Sequence, residues 1–334
     1  SGYNYIDISS TGFTMKYPAS NHIYIAIRRG TKVPESGTEV FAIDTGTGTI
    51  PTYVSGFPVD MSINRQPSVS TDNRTGTRLT GNNRLVTNST AAQASDNAFV
   101  YDYMEGWSES YANSTHYSWM WKRAPGYFDA VAYTGDGVAG RTVSHNLGVA
   151  PEMMWVKRRN ANSNWSVYHS AIGNDKYIVL NTTNTPVTSS TFWNNTDPTA
   201  SSYTVGTSNG TNNTNNTYIA YLFASLPGIS KVGSYTGTGQ AGGNINVDCG
   251  FSSGARFVLI KRTDASGSWW FADTSRGIVS GNEPLLALDS SGAEVTGFNM
   301  VEPYSSGFTV NGSGVGSDNS WNDAGGNYIF YAIA

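Results

Sequence analysis

The sequence predicts an all-β protein made of tandem antiparallel β-sandwich repeat units of about 100 residues, jelly-roll or concanavalin-like in type. Three observations predict it. A long segment is stated twice within the chain, short apolar runs alternate with Gly/Asn/Ser turns, and no window of about a dozen residues carries an uninterrupted, capped i, i+3, i+4 apolar stripe. Composition agrees: of 334 residues only 13% are charged and 13% are aromatic, with Gly 37. That charged share is about half the usual, and the remainder is the alphabet of strands and polar turns.

The repeated segment begins at Tyr133-Thr-Gly-Asp-Gly and ends in Met153-Met-Trp-Val-Lys157-Arg-Arg. It returns as Tyr235-Thr-Gly-Thr-Gly, ending in Arg256-Phe-Val-Leu-Ile-Lys261-Arg. A degenerate third copy runs from Val40-Phe-Ala-Ile-Asp-Thr-Gly to Asp60-Met-Ser-Ile-Asn-Arg65. Closing strands recur at His22–Gly30, Thr217–Ala224 and Asn327–Ala334, with a weaker copy at Tyr117–Gly126. The chain therefore reads as a divergent unit (31–126) and two clearer ones (127–228 and 229–334), preceded in 1–30 by the end of a further repeat or an exchanged strand. Either the chain continues a longer one, or each unit takes its last strand from a neighbour. The polar strand Asp60–Arg65 leaves open whether 31–126 shares the fold of the other two.

Within a unit the strands follow in order. Met153–Lys157 and Arg256–Lys261 are buried-strand runs; Trp165–His169 and Trp269–Asp273 follow after polar turns; Tyr177–Leu180 and Pro284–Leu288 come next, then Tyr203–Val205 and Phe308–Val310.

Charge and composition narrow the function classes. A net charge of −4, without a dense Lys/Arg cluster, argues against a nucleic-acid or anionic-membrane partner. No apolar run approaches the ~18 residues of a membrane span. The single cysteine, Cys249, excludes an intrachain disulfide and reads as a small buried hydrophobe. His22, His116, His145 and His169 lack metal-site spacing, and no metal or cofactor is expected.

Several stretches invite chemical readings that the repeats weaken. Gly135–Gly140 and Gly237–Gly242 fit G-x-G-x-x-G, but a dinucleotide loop needs a helix after the third glycine, and both continue as alternating strands. A hairpin turn is expected instead. His145 reads as a packed or turn-stabilising residue, since its counterpart position holds Asp248-Cys249. Lys157-Arg-Arg and Lys261-Arg are expected at a solvated rim or in intersubunit ion pairs. Asp273-Thr-Ser-Arg276 suits a fixed turn, and Asp318–Asp323 lacks the glycine and terminal glutamate of a calcium loop.

The run from Tyr101 to Tyr117 has no good copy in the other units. Its Tyr101, Tyr103, Trp107 and Tyr111, interspersed with Ser, Asn and Gly, make the palette of adaptable contact surfaces. These four are the candidate ligand-binding residues, with core or subunit packing as the equal alternative.

The 127–334 motifs, His145-Asn-Leu-Gly-Val-Ala-Pro-Glu-Met-Met-Trp-Val-Lys-Arg-Arg, Phe192-Trp-Asn-Asn-Thr-Asp-Pro198 and their second copy through Asn327–Ala334, resemble a repeat domain of virion structural proteins in tailed bacteriophages, such as those of cyanobacteria and other aquatic bacteria. The resemblance reaches 1–126 only through the repeats. It implies a virion location and a non-enzymatic role in a tail fibre, spike or similar appendage, with no catalytic residues to carry over. The expected partners are further copies of the chain in a homotrimer, other virion proteins and a host cell-surface glycan, without nucleic acid or membrane insertion. The alternatives are a capsid or tail component without ligand, a secreted carbohydrate-binding adhesin, and a glycan hydrolase, whose paired carboxylates would be joined only in space.

Overall fold

A computed structural model describes residues 6–8, 13–15, 32–239, 243–312 and 321–334. The closing strand expected at His22–Gly30 and most of the acidic loop before Asp323 lie outside the described residues. A short antiparallel pair, β1 (Ile6–Ile8) and β2 (Phe13–Met15), precedes the rest.

The first unit contains β3 (Phe41–Thr45), β4 (Tyr53–Val54), β5 (Met61–Arg65), β6 (Arg74–Thr77), β7 (Asn83–Val86), β8 (Ala94–Ser95), β9 (Phe99–Val100), β10 (Gly106–Glu109) and β11 (Tyr117–Trp121). The second contains β12 (Phe128–Thr134), β13 (Arg141–Ser144), β14 (Met153–Arg158), β15 (Trp165–His169), β16 (Lys176–Val179), β17 (Val187–Thr188), β18 (Ser202–Val205) and β19 (Thr217–Phe223), with one helical turn, α1 (Ser190–Trp193). The third contains β20 (Ser230–Thr236), β21 (Ile245–Asp248), β22 (Phe257–Arg262), β23 (Trp269–Asp273), β24 (Leu286–Ala287), β25 (Val301–Tyr304), β26 (Gly307–Val310) and β27 (Asn327–Ile333).

The protein is all-β, as the sequence predicts, and its sheets are antiparallel sandwiches. The three main sheets have one topology: β3-β11-β5-β6-β7-β8, β12-β19-β14-β15-β16-β17 and β20-β27-β22-β23-β24. A smaller sheet covers each: β4-β10-β9, β13-β18 and β21-β26-β25. In all three units the first strand pairs with the last of the same unit, so exchange of closing strands between units is corrected for the described residues. The divergent first unit has the same strand order as the others. Its strand β5 keeps the inward pair Met61 and Ile63, as β14 keeps Met153 and Trp155; only the outward pair changes, to Ser62 and Asn64.

The glycine loop Gly135–Gly140 is not a hairpin. It carries the chain from β12, paired with β19, across to β13, paired with β18, in the other sheet. Gly137 and Gly140 adopt φ of 76° and 80°, which other residues rarely tolerate.

Each sandwich has its own outer core, between main and small sheet. The opposite faces of the three main sheets meet in one shared core containing Trp119 and Trp121, Trp155 and Trp165, and Trp269 and Phe271. Rings cross the unit boundaries: Phe41 lies 5.5 Å from Phe257, Trp119 is edge-on to Phe271 at 5.1 Å, and Phe223 lies 5.0 Å from Tyr331. Both faces of the central strands are therefore dry, which is why strands such as Met153–Val156 read as unbroken apolar runs.

The units are related as a pseudo-threefold ring, and its joints repeat. Trp165 Nε1 donates to Val86 O of the first unit at 2.9 Å, and Trp269 Nε1 to Val179 O of the second, again at 2.9 Å. At the third joint Asn73 stands in the tryptophan's place, and its Nδ2 donates to Ala287 O at 2.9 Å. Lys157 Nζ reaches Thr90 O at 2.8 Å, Lys261 Nζ reaches Thr183 O at 2.9 Å, and Arg65 Nη2 reaches Gly292 O at 2.6 Å. The expectation of solvated basic residues is thereby corrected: Lys157 and Lys261 are both 0% exposed, because their ammoniums satisfy carbonyls at unit boundaries.

Candidate functional site

The outer layer of the first unit is where the three repeats differ most. In the second and third units the corresponding layers are apolar, with Trp193 and Tyr203 in one and Phe308 and Trp321 in the other. In the first, residues 99–117 supply β10 and the flanking turns, and they divide into an aromatic half and a polar half.

The aromatic half is scaffold. Trp107 is 0% exposed and stacks between Tyr53 at 5.1 Å and Tyr101 at 5.2 Å, with Phe99 tilted against it. Its Nε1 donates to Ser118 Oγ at 2.8 Å, and Tyr101 shares a hydrogen bond of 2.7 Å with Ser62 Oγ. Gly106 permits this packing, since any Cβ there would collide with Tyr53 O. The expectation that Tyr101 and Trp107 bind ligand is corrected: a ring enclosed in a core cannot stack on one. Tyr103 is half-buried, and its carbonyl accepts from Arg78 at 3.4 Å. Tyr111 is the exception, at 54% exposed.

The polar half surrounds Tyr111. Its hydroxyl donates to Asp96, lying 3.0 Å from Oδ1 and 3.1 Å from Oδ2, and the Arg74 guanidinium sits 5.9 Å from its ring centroid. Arg74 Nη1 pairs with Glu109 Oε1 at 2.7 Å; Asn64 Nδ2 donates to Glu109 Oε2; Arg84 pairs with Asp96 at 2.9 Å. Burial pushes the Glu109 carboxyl above its ordinary range, with Arg74 opposing it. Burial of its hydroxyl end and the bond to Asp96 raise Tyr111 likewise.

Both oxygens of Glu109 are thus engaged, and the pair Glu109–Arg74 works as a fixed support beneath a ring held at both ends. Around that ring Ser110, Asn113, Ser114 and Thr115 are exposed, with Asn113 Oδ1 accepting from Thr115 N at 3.0 Å to fix the turn. Such an arrangement can offer one rigid aromatic face and a rim of small hydrogen-bonding groups. Sequence reasoning found Tyr111 because its segment has no copy. It missed Asn64, Arg74, Arg84, Asp96 and Glu109, the signal for which lay in strand β5, where Ser62 and Asn64 replace the apolar outward pair.

The other stretches that invited chemistry are structural. His145 Nδ1 accepts from Leu147 N at 3.2 Å in a turn and its ring packs on Tyr203. Asp273 accepts from Arg276 N and Nε in its own turn and from Trp119 Nε1 of the first unit at 3.0 Å. Cys249 is buried, and burial pushes its thiol up to about 12. Among the described residues no group of three or more His, Cys, Asp or Glu side chains could hold a metal ion, and no helix is long and apolar enough to cross a membrane.

Compared with known families, residues 45–334 match one described as Domain of unknown function (DUF7483). No curated protein matches the chain.

Proposed function

The chain belongs to this family of unknown function, and we propose, from the resemblance of its repeats to those of phage virion proteins, that it is a non-enzymatic structural protein of a virion appendage, attaching to host-surface glycan through the Tyr111 rim. The observation that carries the reading is asymmetry. Three sandwiches bury their inner faces against one another, and among the described residues only the first, beside its own apolar outer core, exposes an aromatic ring, Tyr111, on a charged support. A rigid ring with small polar neighbours suits the apolar face and hydroxyls of a sugar; single contacts of this kind are weak and gain strength when many copies are presented together. The full engagement of Glu109 supports binding over acid catalysis, which needs a carboxyl free to give up its proton.

A glycan array read with the intact chain and with Tyr111→Ala tests the attachment. Tyr111→Ala removes an exposed ring, so the fold should persist by circular dichroism while glycan signal disappears. Equal binding by both proteins removes this rim from consideration, and absence of binding by either leaves the capsid or tail component without ligand. Trp107→Ala is unsuitable as a probe because it empties the first unit's core. Mass spectrometry of purified particles from a phage encoding the chain tests the virion role; its absence there sinks it.

A further inference from the structure

The third unit has an open seam where the other two are closed. Each sandwich has one side at which an edge strand of the main sheet (β3, β12 or β20) faces an edge strand of the small sheet (β4, β13 or β21). In the first unit, Val54 N of β4 donates to Asp44 Oδ2 of β3 at 2.7 Å. The second closes the seam with three side chains. Val131 fills its interior; Asp129 accepts from Asn146 N at 2.7 Å and pairs with Arg123; Arg141 covers Tyr133 at 5.5 Å and donates to Thr134 O.

The third unit has lost all three. Strand pairing places Gly233 opposite Phe330 where the second unit has Val131 opposite Ala220, and Lys231 where it has Asp129. Ile245 stands in place of Arg141, each opposite a valine of the neighbouring strand. A groove of about 430 Å³ results, floored by Phe330 and Val247, with Tyr235 along it and Lys231 and Asp248 at one end. Phe330 takes the space of the missing side chain, since a Cβ on Gly233 would lie 2.6 Å from its ring. The Lys231 side chain makes no hydrogen bond or ion pair with the described residues. On β20 the Val232 amide is taken by Ser225 Oγ at 3.0 Å, whereas Ser234 and Thr236, which share its orientation, lie exposed on the edge.

We propose that this groove receives an extended segment of a partner polypeptide, which adds as a strand to the Ser234–Thr236 edge, sets alternate apolar side chains on Phe330 and Val247, and places a carboxylate at Lys231. The backbone edge supplies affinity and the floor and cation supply selectivity, which is the general logic of strand addition. The occupant is identified by that chemistry: alternating apolar residues with one acid.

The test is a display library of extended peptides about seven residues long, the length of β20, panned on the full chain. Enriched sequences should alternate apolar residues and carry an acidic one, and binding should slow amide exchange at Ser234 and Thr236. Affinity should fall about tenfold or more in K231D and in G233V/F330A, which installs the second unit's own pair. Should G233V/F330A fail to fold, K231D, at the groove's open end, decides alone. Any of three results overturns the proposal: no sequence enriched, enriched peptides binding wild type and variants equally, or protection elsewhere. Self-association of the wild type that K231D abolishes would also overturn it, by showing a second copy of the chain as the occupant.

Discussion

Acid should loosen the joint between the second and third units at His169, and the effect can be sized. This histidine is fully buried at the end of β15, where Nδ1 accepts from Ala171 N at 3.1 Å. Nε2 faces the backbone of Phe330 in the third unit without a hydrogen bond of good geometry. Adding a proton would turn Nδ1 from acceptor into donor against an amide that is also a donor. Burial accordingly holds the ring down at about 4, against an ordinary 6.5. The folded chain then binds fewer protons than the unfolded one between those values, so the contribution is full above pH 6.5 and lost as pH falls toward 4, amounting to about 3 kcal/mol.

Wild type alone will not show this, because Glu283 titrates in the opposite sense. Burial raises its carboxyl to about 7 even though Met300 N and Val301 N donate to it. A raised carboxyl stabilises the fold below its unfolded value near 4.5 and loses that contribution as pH rises through 7, again by about 3 kcal/mol. Across most of the shared window the two cancel. The measurement is therefore a difference: urea unfolding of wild type and His169→Asn, followed by tryptophan fluorescence at pH 7 and pH 4.5. Asparagine can still accept from Ala171 but does not titrate, so its stability relative to wild type should improve on acidification by about 2–3 kcal/mol. A difference constant within about 0.5 kcal/mol would refute the assignment of a neutral, desolvated His169.

Other joints make further predictions. Trp165→Phe and Trp269→Phe leave buried carbonyls at Val86 and Val179 without donors, and each should cost about 1–3 kcal/mol in the same unfolding assay. Burial lowers Lys157 and Lys261 to about 8, so stability should rise as pH increases from about 8 toward 9.5; Lys157→Met/Lys261→Met should flatten that rise. Arg65→Ala removes donors to Ser290, Ser291 and Gly292, and limited proteolysis should then cut near 122–127 faster than in wild type.

The strands were legible because each carries its own signal: the Met153–Val156 run, the turn after Arg158, the alternation of Arg141–Ser144. The ring was not, since an apolar run shows that both faces are covered without showing by what. A hint existed in the shared spacing from Lys157 to Trp165 and from Lys261 to Trp269, whose polar ends proved to reach neighbouring units. Within 101–117 residue type could not separate Trp107 from Tyr111; the difference is made by Tyr53, Phe99 and Arg74, brought there by the fold. Glu109 was invisible for the same reason, its partners Asn64 and Arg74 belonging to other strands.

The three joints differ in a way that follows from chain connectivity. Short segments, 122–127 and 224–229, link the first unit to the second and the second to the third, which holds those partners at high local concentration. Nothing in the described residues links the third directly back to the first, and that joint carries the additional polar contacts. Arg65 addresses three carbonyls; Asn73 donates to Ala287, Leu288 and Ser290; Thr87 Oγ1 donates to Leu288 O at 2.7 Å; Arg256 Nη2 donates to Phe41 O at 3.0 Å; and Trp119 meets Asp273, which Arg276 neutralises. Apolar burial alone would allow the closing faces to slide, whereas buried donors aimed at particular carbonyls tolerate a single register. Substitution of tryptophan and lysine by asparagine and arginine at this joint is therefore the mark of a ring that must find its own closure.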